Sequence, residues 1–140
     1  MTIRKSILIK RPPEVCFRVF CEEMSEWWPG GFGGKDSKPR IEPRVGGRFY
    51  ERRPDGSEYQ IGEVTAYSPP EHLGFTFRAP SWAVSTQVEI RFLAESAGTR
   101  VELEHSGWDQ DAKTRDARKG FDGGWDFVLG RYQSRFADIH

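Results

Sequence analysis

The chain has 140 residues, enough for one domain spanning residues 1–140 around a single core, and its 21 Lys and Arg are matched by 21 Asp and Glu, leaving no formal net charge. That balance, without any run of like charge, lacks the electrostatic footprint of a nucleic-acid binder. No stretch approaches the roughly 18 apolar residues of a membrane span, and Met1 leads into an alternating segment instead of a signal-peptide apolar region, so the chain reads as cytoplasmic.

Residues 3 to 10 alternate, with Ile3, Lys5, Ile7 and Ile9 on one phase, and predict a strand. Pro12-Pro13-Glu14 opens a helix, because proline in a first turn loses no hydrogen bond. Cys16, Val19, Phe20 and Met24 form its apolar stripe, with Phe17 beside it, and Trp27-Trp28-Pro29 ends the region. Residues 29 to 34 form a glycine-rich loop. No strand precedes it and no Lys-Ser/Thr pair closes it, so it reads as a mobile lid or connector and not as a phosphate cradle.

From Arg40 onward strands follow one another. Gly46-Gly47 marks a bulge or tight bend, and Asp55-Gly56 marks a hairpin. Tyr59 to Tyr67 is a strand stopped by Ser68-Pro69-Pro70, which places His72 in an exposed turn. Leu73, Phe75 and Phe77 share one phase, as do Thr86, Val88, Ile90 and Phe92, and then Val101, Leu103 and His105.

The period changes after Gln110. Phe121, Trp125, Val128, Leu129, Tyr132 and Phe136 define the apolar face of a long C-terminal helix. Asp109 or Asp111 serves as its N-cap, and Asp116, Asp122 and Asp126, with Arg131, Ser134 and Arg135, form a solvated face. Gly120, Gly123, Gly124 and Gly130 each cost about 1 kcal/mol in a helix interior relative to alanine. Three reasons remain open for them: close approach to the sheet, a kink at Gly123-Gly124, or room for a ligand beside Trp125.

Cys16 and Cys21 point to different faces of one helix, so no disulfide joins them. The three histidines, His72, His105 and His140, share no metal-ligand spacing, and no metal or cofactor is expected. His105 alone points inward. It is either a satisfied core histidine or a polar anchor in a cavity. Glu102 and Glu104 take the outward phase as solvated carboxylates.

The order of strand, short helical region, about six strands and long helix carries several local motifs. They are Arg11-Pro-Pro-Glu-Val15, Trp27-Trp28-Pro29, Val45-Gly46-Gly47-Arg48, Gly62-Glu63-Val64, Pro69-Pro70, Gly98-Thr99, Glu104-His105-Ser106-Gly107-Trp108 and Gly124-Trp125. Together they resemble the SRPBCC, or START-like, superfamily, in the branch similar to the C-terminal domain of the heat-shock ATPase activator. The resemblance implies an α+β helix-grip fold: a curved antiparallel sheet of about six or seven strands around the long C-terminal helix, often with a ligand cavity between them.

On the inner face the expected ligand-binding residues are Phe49, Phe75, Phe77, Trp82, Val88, His105, Trp108, Phe121 and Trp125. The leading expectation is a non-enzymatic domain that binds a small apolar or amphipathic ligand. The alternatives are a co-chaperone-like interaction module with a plugged cavity, marked by an exposed apolar patch near Trp27, Trp28 and Phe32, and a cyclase- or hydrolase-like enzyme. The last needs polar groups such as Tyr50, Tyr59 or Tyr132 to converge with His105. Either a monomer or a homodimer fits.

Overall fold

The computed structural model describes residues 1–30 and 32–139. Strand β1 (Ile3–Ile9) buries Ile3 and Ile9 and turns Arg4 and Ser6 outward, as period two requires. Helix α1 (Pro13–Glu22) has its proline in the first turn and buries Cys16, Phe17, Val19 and Phe20. The four-residue helix α2 (Met24–Trp27) follows directly. The remaining elements are β2 (Lys38–Ile41), β3 (Arg48–Arg52), β4 (Glu58–Ser68), β5 (His72–Phe77), β6 (Thr86–Glu95), β7 (Gly98–Ser106) and α3 (Ala112–Ile139).

The strands form one seven-stranded sheet in the order β1-β7-β6-β5-β4-β3-β2, antiparallel throughout. The sheet is curled into a half-barrel by breaks in register at Phe49/Tyr50 and at Val64/Ala66, where an unpaired residue bends the strand. Between them lies Gly62, where a Cβ would stand 1.7 Å from the Thr76 carbonyl oxygen, so only glycine lets the strands approach this closely. Gly46-Gly47 is the expected tight bend: Gly46 has φ +84° and donates its N–H to Val64 O at 2.8 Å. Asp55-Gly56 closes the β3–β4 hairpin, with Gly56 at φ +92°.

His72 is not in a turn. Glu71 N–H already closes onto Ser68 O at 2.8 Å, so the strand resumes at His72, which is half-buried and bonded to Glu89 on the neighbouring strand. His140 lies outside the described residues.

Asp111 precedes helix α3 and caps it: its carboxylate accepts the Thr114 N–H at 2.9 Å and is held below the usual carboxylate range mainly by that bond. The helix is unbroken through Ile139, so the glycines make no break in it. Along its length it seals the free edge of β1. Arg118 donates to Met1 O, Lys5 sits between Asp122 at 3.3 Å and Asp126 at 3.0 Å, and Gln133 donates to Leu8 O at 3.2 Å. Asp122 and Asp126 are therefore not merely a wet face, because Lys5 on the inward phase of β1 reaches them.

Trp125, Leu129, Tyr132 and Phe136 turn from α3 into the core. The Tyr132 hydroxyl donates to Cys16 O at 2.6 Å and Arg131 donates to Trp27 O at 2.7 Å, tying α3 to α1 and α2. Both cysteines are free, and burial pushes the Cys21 thiol up to about 12. Among the described residues no helix is long and apolar enough to cross a membrane, and no group of three or more His, Cys, Asp or Glu could hold a metal ion.

Candidate functional site

The curl of the sheet brings the inward side chains of β3 and β5 to β7 against α3. The register pairs Phe75 with Val88 and Val88 with His105, so these three share the concave face. Phe49 lies 5.0 Å from Phe75, centroid to centroid, and Trp82 lies 5.7 Å from Trp108. Phe121 reaches both Trp82 at 5.3 Å and Phe77 at 5.5 Å. The residues singled out on the inner face thus enter one cluster, aromatic but for Val88, and they do two different things.

Phe49, Phe75, Trp82, Val88, His105 and Trp108 are buried and close the interior. Only Phe77, Phe121 and Trp125 border open space. That space is an apolar cleft of about 380 Å³ between α3 and the segment that follows α2. Trp28, Pro29, Gly30 and Phe32 form one wall. Ala117, Gly120, Gly124, Phe127 and Val128 form the other.

The glycines create this opening. A Cβ built on Gly120 or Gly124 would meet nothing within 4 Å, which removes close approach to the sheet as their reason. Spaced four apart with Ala117 one turn before, they leave a trough along one side of the helix. Gly130 borders a neighbouring groove instead, and Gly123 borders neither.

His105 is the polar centre of the closed half. The Trp125 indole N–H donates to His105 Nδ1 at 2.9 Å, so Nδ1 carries no proton. The Thr86 hydroxyl gives its one proton to Phe77 O at 2.9 Å, so at 2.6 Å it accepts the proton on His105 Nε2. The ring is the neutral Nε2–H tautomer, and burial lowers its pKa to about 3. His105 is thus a satisfied core histidine, with both nitrogens committed. It does not line the cleft itself; it packs behind Phe77 and Phe121 and, by its hydrogen bond, fixes the orientation of Trp125.

The glycine-rich loop is tied down from β3. Glu51 is buried on the same phase as Phe49, and its Oε1 accepts the Gly33 N–H at 2.7 Å. Arg53 donates to Gly33 O at 2.6 Å. These anchors hold Phe32 against Phe77, 5.3 Å between centroids, at the lip of the cleft.

Trp28 and Phe32 follow no strand or helix period, so the sequence marks them only as part of an exposed patch and not as cleft walls; Glu51 goes unmarked, and its alternation with Phe49 is the signal that points to it. The patch expected near Trp27, Trp28 and Phe32 is not exposed: both tryptophans are buried and Phe32 is half-buried. The exposed ring beside the cleft is Phe127, 61% accessible. Tyr132 and Tyr59 spend their hydroxyls on Cys16 O and Arg78 O, and Tyr50 lies under Arg48, so none of them joins His105.

Comparisons with known proteins agree with this architecture. Residues 10–134 match the family described as Activator of Hsp90 ATPase homolog 1-like protein. The crystal structure of MLL2253 from Mesorhizobium loti superposes with a TM-score of 0.78 at 23% identity, covering 100% of this chain and 99% of that one. SSP2350 from Staphylococcus saprophyticus gives 0.72 at 19% identity, covering 99% and 93%. The solution structure of the Aha1 dimer from Colwellia psychrerythraea gives 0.67 at 19% identity, covering 92% and 90%. At these identities the likeness speaks for the fold alone. No curated protein matches the chain. With nearly its whole length matched by the family and the fold shared by these structures, the chain belongs to the Activator of Hsp90 ATPase homolog 1-like family.

Proposed function

We propose that the chain binds a small apolar or amphipathic molecule in the cleft between α3 and the glycine-rich loop. The observation that carries this reading is the pair Gly120 and Gly124. They weaken a helix interior, yet no neighbour requires the missing Cβ atoms, and the space they leave is walled by Trp28, Phe32, Phe77, Phe121 and Trp125. No cleft-lining side chain among the described residues is titratable, which favours binding over acid–base catalysis.

The test is to fill the trough. Gly124→Leu is expected to keep the fold, since its Cβ has open space, and to abolish uptake of a naphthalene probe read by quenching of tryptophan emission. Equal uptake by the variant and the native chain would overturn this site.

A second reading has its own observation. Phe127 stands exposed on the outer rim of the cleft, and the Colwellia psychrerythraea relative is described as a dimer. Under this reading the chain pairs with itself through that rim. Sedimentation velocity would then show a dimer that Phe127→Ser converts to a monomer.

A further inference from the structure

The cleft wall is almost wholly without hydrogen-bonding side chains, and the one exception narrows what it can hold. Of the lining residues, only Trp28 and Trp125 carry a polar side-chain atom. The Trp125 N–H is consumed inside the protein by His105. The indole N–H groups of Trp27 and Trp108 are likewise spent, on Val19 O and His105 O. Trp28 differs: the residue is 5% exposed, and among the described residues no protein group accepts its N–H. Its nitrogen is also not among the side-chain atoms sealed from solvent without a partner.

The ring is held in place without that bond. It packs edge-on against Phe49 at 5.5 Å and Trp125 at 5.8 Å, and Pro29 follows at once. This N–H keeps access to solvent, so water satisfies it in the free protein and a ligand's acceptor can take its place. Trp28 lines an otherwise apolar trough, where a ligand acceptor that met this N–H would gain the bond while the ligand's body gained apolar burial.

Building on the cleft reading above, we propose that the cleft's ligand is a ring-bearing apolar molecule with one uncharged hydrogen-bond acceptor, a carbonyl or ether oxygen, which Trp28 Nε1 addresses. A hydrocarbon body is required by the other walls. An anion is disfavoured, because no cation lines the cleft to meet it. A ligand rich in hydroxyls would bury donors with no side-chain acceptor.

The test compares two probes of one shape, 2-acetylnaphthalene and 2-isopropenylnaphthalene, which differ by C=O against C=CH2. Their dissociation constants are measured on the native chain and on Trp28→Phe by quenching of tryptophan emission. The preference for the ketone over the alkene is expected to be about 3- to 10-fold larger in the native chain than in the variant, the span of one neutral hydrogen bond. Using the ratio cancels any general loss of affinity caused by the smaller ring.

A second measurement needs no variant. The Trp28 indole N–H proton resonance is expected to move downfield on adding the ketone and to stay in place with the alkene. A ratio unchanged by Trp28→Phe, or an unmoved resonance with the ketone bound, overturns this inference while leaving the cleft reading intact. If neither probe binds the native chain, the cleft reading falls and this inference falls with it.

Discussion

The two halves of the aromatic interior are built from the same residue types and behave differently. In one, Trp82, Trp108, His105, Phe75 and Phe49 interlock and all are buried. In the other, Trp28, Phe32, Phe77, Phe121 and Trp125 surround a cleft of about 380 Å³. Aromatic content does not separate them. The separating feature is what α3 presents: large side chains toward the closed half, and the trough of Ala117, Gly120 and Gly124 toward the open one. The trough can stay open because it reaches the surface past Phe127. A sealed dry cavity of that size would cost roughly 9 kcal/mol at about 24 cal/mol per Å³, comparable to a whole domain's stability.

His105 belongs to the closed half, and acid should break that half first. In the unfolded chain its imidazole takes up a proton near the ordinary histidine value of about 6.5, whereas in the folded protein it does so only near 3. The depressed folded value means that the full contribution is present above about 6.5 and is lost progressively as pH falls toward 3. The slope is about 1.4 kcal/mol per pH unit and the total on the order of 5 kcal/mol. Urea unfolding at pH 7, 5.5 and 4.5 should show this slope in the native chain and a shallower one in His105→Gln. Parallel slopes would mean that His105 does not titrate against the fold.

The bond from His105 to Thr86 gives a smaller effect with a built-in control. Thr86→Val keeps the shape but leaves the His105 Nε2–H buried without its acceptor, which should cost about 1–3 kcal/mol. Thr86→Ser restores the hydroxyl and should recover most of that loss. If valine and serine prove equally stable in denaturant titrations, the hydroxyl is not what secures the ring.

Much of the closed half is legible in the sequence. Phe75, Val88 and His105 lie on strands, so period two in β5, β6 and β7 assigns them inward, whereas Trp82 and Trp108 sit outside the strands and helices, where period gives no direction. In the open half period places Phe77, Phe121 and Trp125, but the opposite wall depends on residues for which it carries no information. Trp28 and Phe32 flank or occupy a glycine-rich loop whose position is set by Glu51 and Arg53, 18 and 20 residues beyond Gly33. The four α3 glycines read alike in sequence, and only the packing shows that Gly120 and Gly124 open onto the cleft. His72 was misplaced for a related reason: the length of the turn after Pro69-Pro70 is decided by the Glu71-to-Ser68 bond, which composition does not reveal.

The smallest expected effect separates the halves most cleanly, because it raises stability. Gly120→Ala and Gly124→Ala add methyl groups where nothing lies within 4 Å, so neither should clash. Each should then recover the helix penalty of glycine, about 0.5–1 kcal/mol, and the double variant should unfold at a higher temperature than the native chain. The same two methyl groups enter the trough, so naphthalene uptake should weaken as stability rises. A substitution in the closed half has no such option, since shortening Trp108 or Phe75 leaves a hole and lengthening a neighbour overfills it. A fold that keeps two avoidable glycines at its cleft and none of the available stabilisation is what selection for an open site would leave. If the double variant gains no stability, the glycines answer to some constraint in the helix itself, and the contrast between the two halves loses its main support.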